Sequence, residues 1–228
     1  MQHIRAISLD LDDTLWPLGP VIAQAERAVH DWFAVHYPRV AERFSIDDMR
    51  AVRRRVVADF PGREHDLPLL RRAAFRHLAR EAGYADDPAD AAFAAFQRVR
   101  NQVEPFADVR PALERLARRA PLVALTNGTA DLGVIGLREY FVAVVTAIDA
   151  GAAKPDARAF RSVGTRLGLA PGAILHAGDD PHLDVDGARA AGLLAVWVNR
   201  AGHAWPGDLA PATHAVADLH ALADLLGA

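Results

Sequence analysis

The chain has 228 residues, with Lys+Arg 26 against Asp+Glu 29 and a net charge of -3 at pH 7. At roughly 150 residues per domain this allows one large unit or two unequal ones, and 51% hydrophobic with 24% charged residues excludes a disordered or fibrous chain. The charge balance gives no overall attraction to nucleic acid or anionic membrane, and the lack of cysteine excludes disulfide scaffolds, thiolate catalysis and Cys-based zinc sites.

The first element, Ile4 to Leu11, is apolar and ends in Asp10, Asp12 and Asp13, which predicts a buried strand stopping at a polar loop. It is too short and too soon acidic for a signal peptide or a membrane span, and no later apolar run is long enough to cross a bilayer. A cytoplasmic protein, monomer or homodimer, with no nucleic-acid or membrane partner is expected. From about Pro20 to Val103 the apolar residues keep helical spacing (Val21, Ala25, Val29, Phe33; Leu70, Ala73, Leu78; Phe93, Phe96), with Ser45 and Asp48 as a capping pair and Gly83 as a C-cap.

After Pro105 short strands alternate with helices. Ala112 to Arg118, Ala157 to Leu167, Asp186 to Ala191 and Asp218 to Leu226 are predicted helices; Leu122 to Leu125, Phe141 to Ala147, Ile174 to Ala177 and Leu194 to Val198 are predicted strands. This predicts an α/β protein with a doubly wound parallel sheet and an all-helical insertion after the first strand. Residues 1–16 and 105–228 form the expected core, and residues 17–104 the inserted cap.

Ligands of such sheets bind beyond the carboxyl ends of the strands. Three strands end there in polar groups: Asp10 to Thr14, Thr126 to Gly128, and Gly178 to Asp184. Asp10 and Asp12, two apart, share one side of a strand, so one carboxylate can act as nucleophile and the other as general acid and base. Two such carboxylates repel a phosphate dianion, and a hard cation such as Mg²⁺ removes that repulsion, with Asp179 and Asp184 as candidates to complete its coordination. Each signal alone has a plainer reading: the acidic clusters as strand ends and turn caps, Thr126-Asn127-Gly128 as a turn, Lys154 as a solvated surface cation.

Together and in this order, Asp10-Leu11-Asp12-Asp13-Thr14-Leu15, Leu125-Thr126-Asn127-Gly128, Lys154-Pro155, and Gly178-Asp179-Asp180 with Asp184 resemble the four motifs of the haloacid-dehalogenase-like hydrolase superfamily, in its phosphatase branch with a helical cap. Pro20-Val21-Ile22, His36-Tyr37-Pro38 and Leu175-His176-Ala177 further resemble a bacterial subgroup acting on flavin mononucleotide and on 5-amino-6-(5-phosphoribitylamino)uracil, an intermediate of riboflavin synthesis. The resemblance implies that Asp10 forms an aspartyl phosphate, that Asp12 protonates the leaving alcohol and then activates water, and that Thr126, the Asn127 amide and Lys154 hold the phosphoryl group. It implies Mg²⁺ on Asp10, the Asp12 carbonyl and Asp179, with Asp184 orienting its shell. Leu183-Asp184 stands where the family often has Asn-Asp.

The expected activity is hydrolysis of a small phosphomonoester. Within the superfamily the rivals are a 2-haloacid dehalogenase, against which Asp12 speaks because a halide needs no acid, and a phosphomutase; outside it, a phospho-Asp receiver domain, against which the helical insertion speaks. The cap arginines (Arg53-Arg54-Arg55, Arg71-Arg72) read as a largely solvated face or an attractor of anions, and Trp16 as core or as a stacking platform. Ten histidines show no zinc spacing and read as surface, with His176 the exception beside the fourth motif. G-x-G-x-x-G, G-x-x-x-x-G-K-[ST] and G-x-S-x-G are all missing.

Overall fold

The computed structural model describes residues 3–228, so the first two residues of the expected core segment lie outside the described residues. The chain divides into two compact units: residues 3–17 with Glu104–Gly128 and Leu132–Ala228, and Leu18–Val103 with Thr129–Asp131.

The first unit is built on six parallel strands, β1 (Ala6–Leu9), β2 (Leu122–Thr126), β3 (Ala143–Thr146), β4 (Ile174–Gly178), β5 (Leu194–Val198) and β6 (Ala215–Val216), in the order β3-β2-β1-β4-β5-β6. Every residue of β1, β2 and β4 is buried, as central strands covered on both faces require. Side chains alternate between faces. Ala6, Val123, Leu125, Val145 and Trp197 pack with Phe160, Val163 and Ala188 of the following helical segments, while helices Val109–Arg119 and Leu219–Leu226 pack on each other and leave Ile7, Leu9, Leu175 and Val196 to the opposite face. Full burial of a side chain such as Phe160 contributes about 2–3 kcal/mol.

Three local differences from the sequence reading have physical causes. The helix expected from Ala112 starts at Val109, because Pro111 is tolerated in a first turn whose N–H groups lack helical partners. The strand expected over 141–147 is only Ala143–Thr146, since Thr146 instead caps the helix Ala147–Ala150 in a reciprocal pair with Asp149. Strand β6 has two residues, too few to show alternation, and extends the sheet beyond the five strands read from sequence.

The second unit consists of helices Leu18–His36, Pro38–Arg43, Ile46–Val56, Leu67–Glu81 and Ala89–Arg100 with a short turn Val57–Asp59. Ser45 and Asp48 form a complete capping box, and Gly83 adopts the left-handed φ of +79°. Phe33, Phe75, Leu78 and Phe96 form its core, with the Phe33 and Phe75 rings edge-to-face at 5.7 Å. Gln97 recruits Thr129 through two hydrogen bonds, Nε2 to the carbonyl at 2.7 Å and Oε1 from the hydroxyl at 2.8 Å. Among the described residues no helix is long and apolar enough to cross a membrane.

Candidate active site

The site forms at the carboxyl end of β1, where Leu9 pairs with Ala124 of β2 on one side and Ala177 of β4 on the other. Asp10 extends the ladder by one residue, donating its N–H to the Ala177 carbonyl at 3.0 Å. The chain then turns sharply: Asp13 takes a left-handed φ of 57°, a conformation Asp tolerates better than most residues, and its N–H reaches the Trp16 carbonyl at 2.8 Å. Trp16 is fully buried inside this turn and donates from Nε1 to Asp12 Oδ1 at 2.8 Å. The stacking role considered for Trp16 is therefore corrected: it has no exposed face, and it holds Asp12 instead.

Beyond β4, Asp180 caps the next turn by accepting from the N–H groups of His182 and Leu183, both at 2.8 Å. Residues Pro181–Asp186 form one wide π-type turn, which swings Asp184 back under the strand end. Asp184 is buried, and its Oδ2 accepts from the Asp180 N–H at 3.0 Å. Asp179 accepts from the Thr14 hydroxyl at 2.9 Å, and its carbonyl accepts from Trp197 Nε1 at 2.7 Å.

Lys154 is not solvated. Its ammonium is buried and donates to Asp10 Oδ1 and, at 2.6 Å, to Asp184 Oδ1. The Asn127 side chain fixes the loop that carries it, giving its amide N–H to the Lys154 carbonyl at 3.0 Å and accepting the Lys154 N–H at 2.8 Å. Asn127 thus spends its side-chain carbonyl and one amide N–H on the loop. Thr126, buried at the end of β2, accepts from the Gly128 N–H at 2.9 Å, which leaves its hydroxyl proton free to be donated.

Burial pushes the Asp10 carboxyl well above the ordinary carboxylate range, against the opposing pull of Lys154. Burial, then the Asp184 charge, raises Asp179 to about 6. Burial would raise Asp184 too, but the Lys154 charge and the His176 hydrogen bond outweigh it and hold Asp184 below the usual range. Burial alone would lower Lys154, yet Asp10 and Asp184 keep its ammonium above the ordinary lysine value. Burial pulls the His176 pKa down against the Asp184 hydrogen bond; the ring lies between Ser8 Oγ (Nδ1, 3.0 Å) and Asp184 Oδ1 (Nε2, 3.2 Å).

Carboxylate oxygens of Asp10, Asp179 and Asp184 lie within 4.8 Å of one another. An all-oxygen donor set with three buried or half-buried carboxylates against one ammonium is short of positive charge, and this fits a hard divalent cation such as Mg²⁺. The Asp12 carboxylate is outside this cluster.

The candidate catalytic, phosphate-binding and metal residues all belong to this one unit, and Asp10, Lys154, Asp179 and Asp184 converge directly; the cap arginines lie in the other unit. Sequence reasoning placed Thr14 in the first motif but missed its Asp179 partner, and it missed Trp197 as a site residue; their partners lie 165 and 18 residues away with no local spacing to reveal them. His176 was marked only by its position next to the Gly-Asp-Asp turn.

A family model described as haloacid dehalogenase-like hydrolase matches residues 4–192. The chain is 32% identical to the 5-amino-6-(5-phospho-D-ribitylamino)uracil phosphatase YigB of Escherichia coli (strain K12), covering 86% of this chain and 84% of that protein. Among solved structures it resembles a 2-haloacid dehalogenase from Pseudomonas syringae pv. Tomato DC3000 (36% identity, TM-score 0.92, 98% of each chain). It also resembles an HAD phosphatase from Thermococcus onnurineus (25% identity, TM-score 0.67, 98% of each chain). The fold is that of this family, and the phosphatases among the relatives support phosphatase activity. The chain belongs to the haloacid dehalogenase-like hydrolase family.

Proposed function

We propose that this chain is a Mg²⁺-dependent phosphomonoesterase for small phosphorylated metabolites, working through an aspartyl phosphate on Asp10. The observation that carries the reading is the buried Lys154 ammonium held between the carboxylates of Asp10 and Asp184, with Asp179 in the same cluster. In this reading residues 1–16 and 105–228 are the catalytic core, and residues 17–104 are an inserted helical cap.

An Asp10 oxygen attacks phosphorus, the ester P–O bond breaks, and the departing alkoxide takes a proton from Asp12. Asp12 then removes a proton from water as the water oxygen bonds to phosphorus and the Asp10–P bond breaks, which returns both carboxyl groups to their starting states. The Trp16 N–H bond aims Asp12 for both transfers. Lys154 neutralises phosphoryl oxygens as a point charge, while the Thr126 hydroxyl and the Asn127 main-chain N–H position them. Bound by Asp10, the Asp12 carbonyl and Asp179, with Asp184 orienting its shell, Mg²⁺ would supply further charge neutralisation. Positioning and electrostatics of this kind provide most of the catalysis in phosphoryl transfer.

The preferred substrates are flavin mononucleotide or 5-amino-6-(5-phosphoribitylamino)uracil, in the cytoplasm, as a step of riboflavin biosynthesis. The activity for which the Escherichia coli relative is named, 5-amino-6-(5-phospho-D-ribitylamino)uracil phosphatase, and the motif resemblance support this choice. A second reading, 2-haloacid dehalogenase, draws on the Pseudomonas syringae neighbour; Asp12 argues against it because a halide leaves without a proton.

The test is phosphate release from a phosphomonoester panel that includes both candidates, with and without Mg²⁺, beside halide release from 2-chloropropionate. Phosphate release that needs Mg²⁺ and disappears in Asp10→Asn and Asp12→Asn is expected. Halide release alone, or full activity of Asp10→Asn, would overturn the reading.

A further inference from the structure

The turn that carries Asp12 is gripped from outside by Arg200, which follows β5. The Arg200 Nε donates to the Thr14 carbonyl at 2.9 Å, and its two terminal nitrogens donate to Asp108 at 3.0 and 2.8 Å. The guanidinium lies 4.1 Å over the centroid of the Phe106 ring, and the ion pair is largely withdrawn from solvent, with 16% of the Arg200 and 12% of the Asp108 side chain exposed. Two donors on one carboxylate fix the plane of the fork, and with it the direction of Nε. Asp108 is itself fixed, since it accepts the Leu219 N–H at 2.9 Å and stands at the start of helix Val109–Arg119.

What Arg200 holds leads to Asp12. Thr14 is fixed at its carbonyl by Arg200 and at its hydroxyl by Asp179, and the next carbonyl, of Leu15, accepts the Phe106 N–H at 2.9 Å. Trp16 follows, and its indole N–H meets the Asp12 carboxylate. Within the turn, the left-handed φ of Asp13 is a conformation that a non-glycine residue keeps only where its surroundings impose it. Arg200 and Phe106 supply those surroundings from two other parts of the chain. Asp12 has two partners in the proposed reaction, the leaving oxygen and then water, and an error of about 1 Å in its aim lowers the rate about 100-fold.

We infer that Arg200 is a positioning residue for the proton transfers of Asp12: by holding the Thr14 carbonyl it fixes the turn that aims this carboxylate. The inference rests on the phosphatase reading for its chemistry and on the contacts of Arg200 for its geometry. A selective loss follows from it. An alkyl ester departs as a strongly basic alkoxide that needs the Asp12 proton, whereas 4-nitrophenolate departs as a stable anion. A disturbance that reached the acidic cluster through Thr14 and Asp179 would instead slow both esters alike.

The test compares the full-length parent with Arg200→Met and Arg200→Lys. With Mg²⁺ present, kcat/KM is measured for 4-nitrophenyl phosphate and for the alkyl phosphate that the parent hydrolyses best. Arg200→Met should lose about 100-fold on the alkyl ester and less than about tenfold on the nitrophenyl ester. Arg200→Lys keeps a charge for Asp108 and so guards against a Met variant that fails to fold; its ammonium lacks the fork, and it should show the same bias. The turn is read without substrate or metal from the indole N–H resonances of isotope-labelled protein, with Trp16 assigned through Trp16→Phe. In both variants the Trp16 signal should shift or broaden, while that of Trp32, in the helical unit, stays. Equal losses on the two esters, full activity of Arg200→Lys, or an unmoved Trp16 signal would overturn the inference. An inactive parent would count against the phosphatase reading, and the Trp16 signal would still decide whether Arg200 holds the turn.

Discussion

Asp184 lies so close against Gly178 that a methyl group on the glycine would fall 2.3 Å from the Asp184 carboxyl carbon and 2.4 Å from Oδ2. Gly178 is needed here for space, not for its backbone freedom. Gly178→Ala should therefore displace the carboxylate that holds Lys154, at a cost of about 1–3 kcal/mol in stability from overpacking. An error of about 1 Å in such a constellation lowers activity about 100-fold. Urea unfolding and phosphate release check both figures, and an alanine variant with parental activity would refute this account of the turn.

The Lys154 ammonium offsets two buried carboxylates at once, so Lys154→Met should leave Asp10 and Asp184 facing each other without a counter-charge. Removing one partner of a buried ion pair costs about 3–5 kcal/mol. Added Mg²⁺ should recover part of that loss, since a cation in the same cluster supplies the missing charge. Denaturant midpoints of the variant with and without Mg²⁺ test this; a variant as stable as the parent would show that Lys154 is not needed to balance the cluster.

Asp10, Asp12, Lys154 and Asp184 were legible because each follows a strand or precedes a helix at a motif spacing, and because topology alone sends strand ends to one edge. The links that hold them were not. Thr14 to Asp179, Trp197 to the Asp179 carbonyl and Arg200 to the Thr14 carbonyl at 2.9 Å join residues far apart in the chain, and no periodicity encodes such pairs. The π-type turn over Pro181–Asp186 was equally hidden, since its helical composition does not distinguish a wide turn from a regular one. Lys154 misleads in isolation because its burial depends on two acids 144 and 30 residues distant.

Asp108 should contribute to acid sensitivity. Its carboxylate accepts both terminal nitrogens of Arg200, at 3.0 and 2.8 Å, and the Leu219 N–H at 2.9 Å. Burial would raise its pKa, but the Arg200 hydrogen bonds and the Leu219 N–H outweigh burial and lower it. A depressed carboxyl stabilises the fold fully above its unfolded value, near 3.8, and loses that contribution as pH falls through the folded value. Asp108→Asn should thus be less stable than the parent by about 2 kcal/mol at pH 7, with the difference shrinking as pH falls below 3.8 and through the folded value. Thermal midpoints of both proteins across that range provide the check, and a gap independent of pH would exclude the charge as its source.

Mg²⁺ itself should act in opposite directions on the parent and on Asp179→Asn. In the metal-free parent, Asp179 sits beside the Asp184 charge in a largely dry site, an arrangement that costs stability. Asparagine removes that repulsion while keeping an oxygen to accept from the Thr14 hydroxyl, so the variant should unfold at a higher temperature than the parent without metal. On adding Mg²⁺ the order should reverse. A cation that binds only the folded parent stabilises it by about 2.7 kcal/mol at 100 times its Kd, and the variant, lacking one charged ligand, should gain little. A crossing of the two stability curves with Mg²⁺ concentration is the expected result. Parallel curves would mean that Asp179 is not a ligand, because a residue that merely packs against the strand end would shift both states alike.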